Sequence, residues 1–184
     1  MKNEIGRKYQ ATAVCDTPTG KLAVAASPNG LAWVSFLGAD YWQDFAKEKE
    51  QHADLAAQEI LEKAIQQIQE YFDLQRKAFD LPLDFESLSD FRRRVLAETQ
   101  HIPFGKTLTY GDVAERIGQP AASRAVGGAL AHNPLALVIP CHRVIASDGS
   151  LHGFSSPGGI ATKALLLKHE GVRVVNERVI KGTQ

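Results

Sequence analysis

The chain has 184 residues, 44% of them hydrophobic and 23% charged, with no formal net charge, so it can bury one large core or two small ones. Its two cysteines stand at positions 15 and 141 and no Cys-x-x-Cys or His-x-x-x-His pair occurs, which excludes a disulfide framework and a zinc signature. No stretch approaches the ~20 apolar residues of a membrane span, and residues 1–7 lack a signal-peptide core; a reducing, cytoplasmic setting is expected, nuclear in a eukaryotic source, with no metal, cofactor or membrane partner.

In chain order, residues 10–15 and 21–26 read as short strands joined at Asp16-Thr17-Pro18-Thr19-Gly20, whose Pro and Gly suit a reversal. Ser27-Pro28-Asn29-Gly30 turns into a third strand at 31–37, completing an antiparallel meander. Cys15 falls among small apolar residues of the first strand and reads as packing. Residues 40–53 are polar, either loop or marginal helix. From 54 to about 74, Leu61, Ile65, Ile68 and Phe72 recur at helical spacing while Glu62, Lys63, Gln66, Gln67 and Glu70 take the other face, so this helix can lie on the sheet. Residues 79–89, with Pro82 and several acids, are extended and non-periodic. They mark the boundary between a domain at 1–88 and one at 89–184.

In the second half, Ser89 can cap a helix over 90–101 that buries Phe91 and Val95 and stops before Pro103. Its Arg92-Arg93-Arg94 run is either a solvated face or a set of phosphate contacts. Thr109 caps a short helix over 110–117 with Asp112 at the capping-box position, Gly118 ends it, and Pro120 opens a second helix running to 132. Helix, glycine turn and helix make the helix-turn-helix layout. The second helix has almost no long polar side chain to read base edges. Ser123, Ala125 and Gly127 instead let its backbone approach something closely, and Arg124 is its single long cation. Such a helix suits sequence-tolerant docking in a minor groove with one side chain inserted into the duplex, or close packing in a core. Further on, Ser147-Asp148-Gly149 is a turn and residues 153–159 form a glycine-containing loop. A last helix over 160–170 buries Ile160, Ala164, Leu165 and Leu167 and ends at Gly171.

Charge divides along the same line. Residues 1–90 hold 9 Lys+Arg against 15 Asp+Glu, a net −6, whereas residues 91–184 hold 12 against 6, a net +6. A polyanion-binding domain joined to a non-binding one has this signature, and so does an uneven scatter of solvated charge.

The run Asn133-Pro134-Leu135-Ala136-Leu137-Val138-Ile139-Pro140-Cys141-His142-Arg143-Val144 is long enough for a buried strand that Pro140 ends, presenting Cys141 at its tip. A thiol attacks as its thiolate and needs a proton acceptor or positive charge nearby; His142 and Arg143 follow directly. Strict strand alternation would turn His142 away from Cys141, so contact needs a bend after Pro140 or a bridging water. Glu170 is the candidate third member of a Cys-His-acid set. A buried structural cysteine beside a satisfied histidine is the alternative.

Taken together, Ile139-Pro140-Cys141-His142-Arg143-Val144, Arg124-Ala125-Val126-Gly127-Gly128-Ala129 with Asn133-Pro134, Ile102-Pro103-Phe104-Gly105, Thr109-Tyr110-Gly111 and His169-Glu170-Gly171 resemble the O6-alkylguanine-DNA alkyltransferase family across the whole C-terminal half. The resemblance implies an α+β protein, with a small N-terminal three-stranded antiparallel sheet and helix followed by a mainly helical domain containing the helix-turn-helix. It implies irreversible transfer of an alkyl group from O6-alkylguanine, and from O4-alkylthymine as a further substrate, to Cys141, with His142 and Glu170 as a water-linked proton relay and Asn133 ordering the turn. Arg124 matches the arginine that replaces the flipped nucleotide, with Ser123, Ala125 and Gly127 against the DNA, and Tyr110 the tyrosine that assists flipping and donates to the base. Val144, Leu130, Ser155, Ser156, Gly158 and Gly159 match the base pocket. The implied partner is double-stranded DNA carrying O6-alkylguanine, bound by a monomer. Two departures stand out: the interval from Cys141 to Glu170 is a couple of residues longer than is usual in the family, at Ser155-Ser156-Pro157, and Leu130 and Ala131 replace residues that are often basic. The rival expectation is a non-catalytic helix-turn-helix damage sensor or regulator, against which stand the presence of Cys141 and the scarcity of base-reading side chains. A cysteine hydrolase is a third.

Overall fold

The computed structural model describes residues 9–38, 54–85 and 88–180. The segments expected to lack a signal sequence, 1–7, and to be loop or marginal helix, 40–53, lie outside the described residues. Two compact units result, one built from residues up to 85 together with Pro134–Ala136, the other from 88–133 and from Leu137 onward.

In the first unit, β1 (Ala11–Thr17), β2 (Gly20–Ser27) and β3 (Gly30–Phe36) form an antiparallel sheet in the order β1-β2-β3. Thr17 pairs with Gly20 and Ser27 with Gly30, so each reversal needs only two residues, Pro18-Thr19 and Pro28-Asn29. Proline's fixed φ favours both. The central strand is buried on both faces from Leu22 to Ala26, which is why it reads as a continuous apolar run and not as an alternation. Capped by Asp54, whose carboxylate accepts from Ala57 N–H at 3.1 Å, α1 (Leu55–Phe72) lays Ala57, Leu61, Ala64, Ile68 and Tyr71 on the sheet. Gln67, expected on the solvated face, is buried: its amide donates to Asp80 O and accepts from Asp80 N–H, both at 2.8 Å. A buried amide is tolerated when both its ends are paired. The free edge of β3 is covered by Leu31 bonding Pro82 O and Val34 bonding Pro134 O, each at 2.8 Å, which removes a template for edge pairing.

In the second unit, α2 (Asp90–Gln100), capped by Ser89, buries Val95, Leu96 and Thr99 and leaves Phe91 half-buried. Next come β4 (Leu108–Thr109) and α3 (Tyr110–Arg116), whose capping box is complete: Asp112 N–H donates to Thr109 Oγ1 at 3.0 Å and Thr109 N–H to Asp112 Oδ2 at 2.7 Å. Gly118 follows at φ 71, a left-handed position that glycine fills without strain. The second helix does not start at Pro120 as an α-helix. Pro120–Ala122 is a 3-10 turn, with Ala122 N–H on Gln119 O at 2.9 Å, and α4 runs over Ser123–Ala131. Helices α2, α3 and α4 pack on one another.

The run at 133–144 is not a strand. Leu137 sits at φ 73, and the stretch before Cys141 makes only single-residue bridges among the described residues, that of Leu135 to Val34 being one of them. Two prolines and a left-handed residue cannot hold an extended pleat. After a 3-10 turn at Cys141–Arg143, β5 (Val144–Ile145) pairs in parallel with β4. The last helix, α5 (Ile160–His169), presents a face rotated from the expected one: Leu165 is 51% exposed, while Lys163 and Leu166 are fully buried beside Leu167. A closing hairpin, β6 (Val174–Val175) and β7 (Arg178–Val179), turns through Asn176 and Glu177, both left-handed, as two-residue hairpins require.

Candidate active site

Proline ends the buried run and re-aims it. Pro140 (φ −80, ψ 64) is the centre of an inverse γ-turn in which Cys141 N–H reaches back to Ile139 O at 2.8 Å. Arg143 N–H then bonds Pro140 O at 2.9 Å, closing the 3-10 turn that carries Cys141, His142 and Arg143. Three residues per turn replace the alternation of a strand. Asn133 Nδ2 donates to the same Ile139 carbonyl at 2.9 Å. One carbonyl thus ties the end of α4 to the backbone of the thiol.

His142 is completely buried, with Nε2 2.8 Å from Glu170 Oε1. Arg143 grips the same carboxylate through Nε, at 3.1 and 2.9 Å, and through Nη2 at 2.8 Å, while Nη1 donates to Ile102 O at 2.5 Å. Gly105 N–H adds a bond to Glu170 Oε2 at 3.1 Å, and Gly105 must be glycine there: it sits at φ 73, and a Cβ would lie 2.9 Å from Glu170 O. Burial pushes the Glu170 carboxyl up, but the hydrogen bond from His142 and the hydrogen bonds and charge of Arg143 outweigh it and hold the group far below its usual range. Burial likewise pulls His142 below its usual range, more than Glu170 raises it. Because Arg143 already balances the carboxylate, the imidazole stays neutral. Its Nε2 then carries the proton that faces Glu170, which leaves Nδ1, buried and without a hydrogen-bond partner among the described residues, as a lone pair.

Sequence reasoning missed Lys163. It looks like a solvent-facing cation in an ordinary helix, yet its side chain is wholly buried, with Nζ donating to Val144 O at 2.6 Å and His152 O at 3.0 Å. Burial drags its ammonium down to about 8, against a pull upward from Cys141. At the half-buried Cys141, burial raises the thiol, and the Asn133 hydrogen bond, the Lys163 charge and the local backbone N–H groups act to lower it. Tyr110, first residue of α3, has its ring 5.8 Å from Lys163 Nζ and its hydroxyl donating to His152 O at 3.1 Å. The tyrosine, lysine and cysteine therefore share one electrostatic neighbourhood, with Val144 buried beside them.

The loop residues bond the end of α4 and the start of α5. Ser155 is exposed and its Oγ donates to Ala131 O at 2.9 Å; Ser156 O accepts from Gly159 N–H at 2.9 Å, and Pro157 O accepts from Thr162 Oγ1 at 2.7 Å. Gly158, at φ 81, leaves no room for a Cβ, which would meet Thr162 Oγ1 at 2.5 Å. On α4, Arg124 and Ala125 are exposed, Ser123 and Gly127 half-buried, and Leu130 is buried with Val126 and Ala129. A Cβ at Gly127 would stand 3.8 Å from the Tyr110 ring, so helix and tyrosine approach closely. The turn gathers Cys141, His142, Glu170 and Asn133, while Arg124 stands apart on the first turn of α4. Among the described residues no three His, Cys, Asp or Glu side chains converge as a metal site, and no helix is long and apolar enough to cross a membrane.

Residues 10–85 match the family model of the 6-O-methylguanine DNA methyltransferase ribonuclease-like domain, and residues 90–172 that of the 6-O-methylguanine DNA methyltransferase DNA binding domain. The methylated-DNA–protein-cysteine methyltransferase of Methanosarcina acetivorans is 38% identical over 161 residues, 86% of this chain and 97% of its own. The constitutive enzyme of that name from Bacillus subtilis is 37% identical over 164 residues, 89% of this chain and 96% of its own. Among solved structures, Mycobacterium tuberculosis O6-methylguanine methyltransferase superposes with a TM-score of 0.73 at 36% identity, covering 87% of this chain and 92% of that one. Mycobacterium tuberculosis OGT in complex with DNA gives 0.70 at 36% identity, over 85% and 90%.

Proposed function

The chain belongs to the 6-O-methylguanine DNA methyltransferase family, and from that premise we propose that Cys141 is the atom-accepting residue of a direct DNA repair reaction, taking the alkyl group of O6-alkylguanine. Its partner is DNA. The activity is that of a methylated-DNA–protein-cysteine methyltransferase, and the observation that carries the assignment to this thiol is the neutral, Glu170-backed His142 beside it.

The target methyl is hidden in the base stack, so the nucleotide must be extruded, at a cost of roughly a few kcal/mol. Arg124, exposed at the start of a small-residue helix, fills the gap from the minor groove, with Ser123, Ala125 and Gly127 against the backbone. Val144, Leu130 and the loop of Ser155, Ser156, Gly158 and Gly159 bound the base. Cys141 gives its proton through a water to His142 Nδ1, and Glu170 stabilises the imidazolium that forms. The thiolate, steadied by Lys163, attacks the alkyl carbon in line; the carbon–oxygen bond breaks, its electrons stay on the purine, and the purine takes up the proton with Tyr110 donating to the ring. The thioether is not reversed, so each molecule acts once. A monomer that repairs double-stranded DNA inside the cell needs nothing further for this chemistry, and residues 1–88 act as a support for the reactive domain at 89–184.

The test is intact-protein and peptide mass spectrometry after mixing with duplex containing O6-methylguanine. One methyl per protein, on Cys141, is the expected result, with none on Cys141→Ala although that variant still binds DNA. More than one methyl per molecule, or a modified Cys15, sinks the assignment.

A further inference from the structure

Three arginines stand in a row on α2, and the chemistry above uses none of them. All three turn to backbone carbonyls: Arg92 Nη2 donates to His132 O at 2.5 Å, Arg93 to Leu88 O at 3.4 Å, and Arg94 to Ile117 O. Arg92 differs from its neighbours in what its acceptor leads to. His132 caps the C-terminus of α4, where the last carbonyls of a helix have no intrahelical donor and carry partial negative charge. Side chains meet these carbonyls one by one: His132 Nδ1 lies 2.8 Å from Gly128 O, Ser155 Oγ 2.9 Å from Ala131 O, and Arg92 supplies the charged donor to His132 O. Arg92 is half-buried, and its Nε is buried with no hydrogen-bond partner among the described residues. The next residue along the chain is Asn133, which bonds the Ile139 carbonyl that also receives the Cys141 N–H.

Resting on the reading of Cys141 as the alkyl acceptor, we propose that Arg92 is a positioning residue for the thiol: its grip on the His132 carbonyl fixes the end of α4, so that Asn133 holds the Ile139–Cys141 turn in its attacking geometry. A charge-assisted bond is the strong kind, and it acts one residue from the asparagine it steadies. Arg92 therefore serves the chemistry and not DNA capture, although an arginine run beside a DNA-docking helix suggests phosphate contacts.

Single-turnover transfer from free O6-benzylguanine and from methylated duplex, measured for wild type, Arg92→Met, Asn133→Ala and the double variant, tests this. Arg92→Met is expected to slow transfer about tenfold on both substrates alike, to move the pH profile of Cys141 alkylation upward, and to be partly rescued by Arg92→Lys. In the Asn133→Ala background the same substitution should cost nothing more, because the two residues act through one path. A loss confined to duplex identifies a phosphate contact and overturns the proposal, as do multiplicative losses in the double variant or unchanged rates. Should Arg92→Met fail to fold, Arg92→Lys carries the same comparison between free base and duplex. Wild type that leaves Cys141 unmodified defeats the reading of the site itself, which is distinct from a wild type that reacts and an Arg92 variant that matches it.

Discussion

The two cysteines make an internal control for what burial does to a thiol. Cys15 sits in β1 opposite Leu22, and burial, with the nearby Asp16 charge, pushes it up to about 11. Cys141 sits in a 3-10 turn and is also raised by burial, but there a side-chain amide, an ammonium and backbone N–H groups pull the other way. Backbone hydrogen bonds act to lower both thiols; only the turn adds a side-chain amide and an ammonium to them. Cys141 thus differs from Cys15 both in being more exposed and in the polar side chains that face its sulfur.

The most severe way to break that contrast is to remove the charge. Lys163→Met should slow alkyl transfer by about 100-fold, equivalent to about 2.7 kcal/mol of lost thiolate stabilisation, and shift the rate profile to higher pH, whereas Cys15→Ser should change neither. Single-turnover kinetics across pH reads both; a Lys163→Met rate within twofold of wild type would leave the ammonium without a role at the thiol. A smaller effect separates docking from chemistry. Arg124→Ala should lower the rate on duplex by about tenfold while leaving free O6-benzylguanine nearly unchanged, and equal losses on the two substrates would move Arg124 into the reaction itself.

The smallest effect concerns acid. His142 is lowered from 6.5 on folding, so below that pH the unfolded chain binds more protons and stability declines; Glu170 is lowered from 4.5, so its contribution, present above that pH, is lost in turn as acidity increases further. Both signs agree, and both groups lie in the second unit. Hydrogen exchange as pH falls from 7 to 4 should therefore show amides of α5 losing protection before those of β2. Loss of protection in β2 first would contradict the assignment of acid lability to the relay.

The legible parts of the chain were those governed by local rules. Thr109 and Asp112 announce their capping box by spacing alone, Pro28-Asn29-Gly30 announces a reversal, and Leu61 and Ile68 mark the buried face of α1. The less legible parts were decided by distant partners. Lys163 is buried because the carbonyls of Val144 and His152 meet its ammonium, and nothing in the α5 sequence reveals those carbonyls. Gln67 is buried because Asp80 presents both a donor and an acceptor. The stretch before Cys141 is apolar enough for a strand, and periodicity cannot see that Leu137 takes a left-handed conformation. At the site, Cys141 and His142 stand out as neighbours in sequence, whereas the inward turn of Arg143 onto Glu170 depends on a helix end 27 positions away.

The parallel pairing of Leu108 with Val144 and Thr109 with Ile145 ties the start of α3 to the residues just after the thiol in a single register. Adding or deleting one residue on either side would invert which side chains face inward, turning Val144 outward and moving Tyr110 off its ring contact with Lys163. Length can therefore change without shifting that register only where no ladder crosses, as between Gly153 and Gly159, beyond the Ser150 bridge and the Leu151 N–H bond to Glu177 O. Natural variants and designed insertions alike should accumulate there, and a peptide tag spliced into that loop should leave the helix-turn-helix in phase with Cys141, while the same tag at residues 106–108 should not.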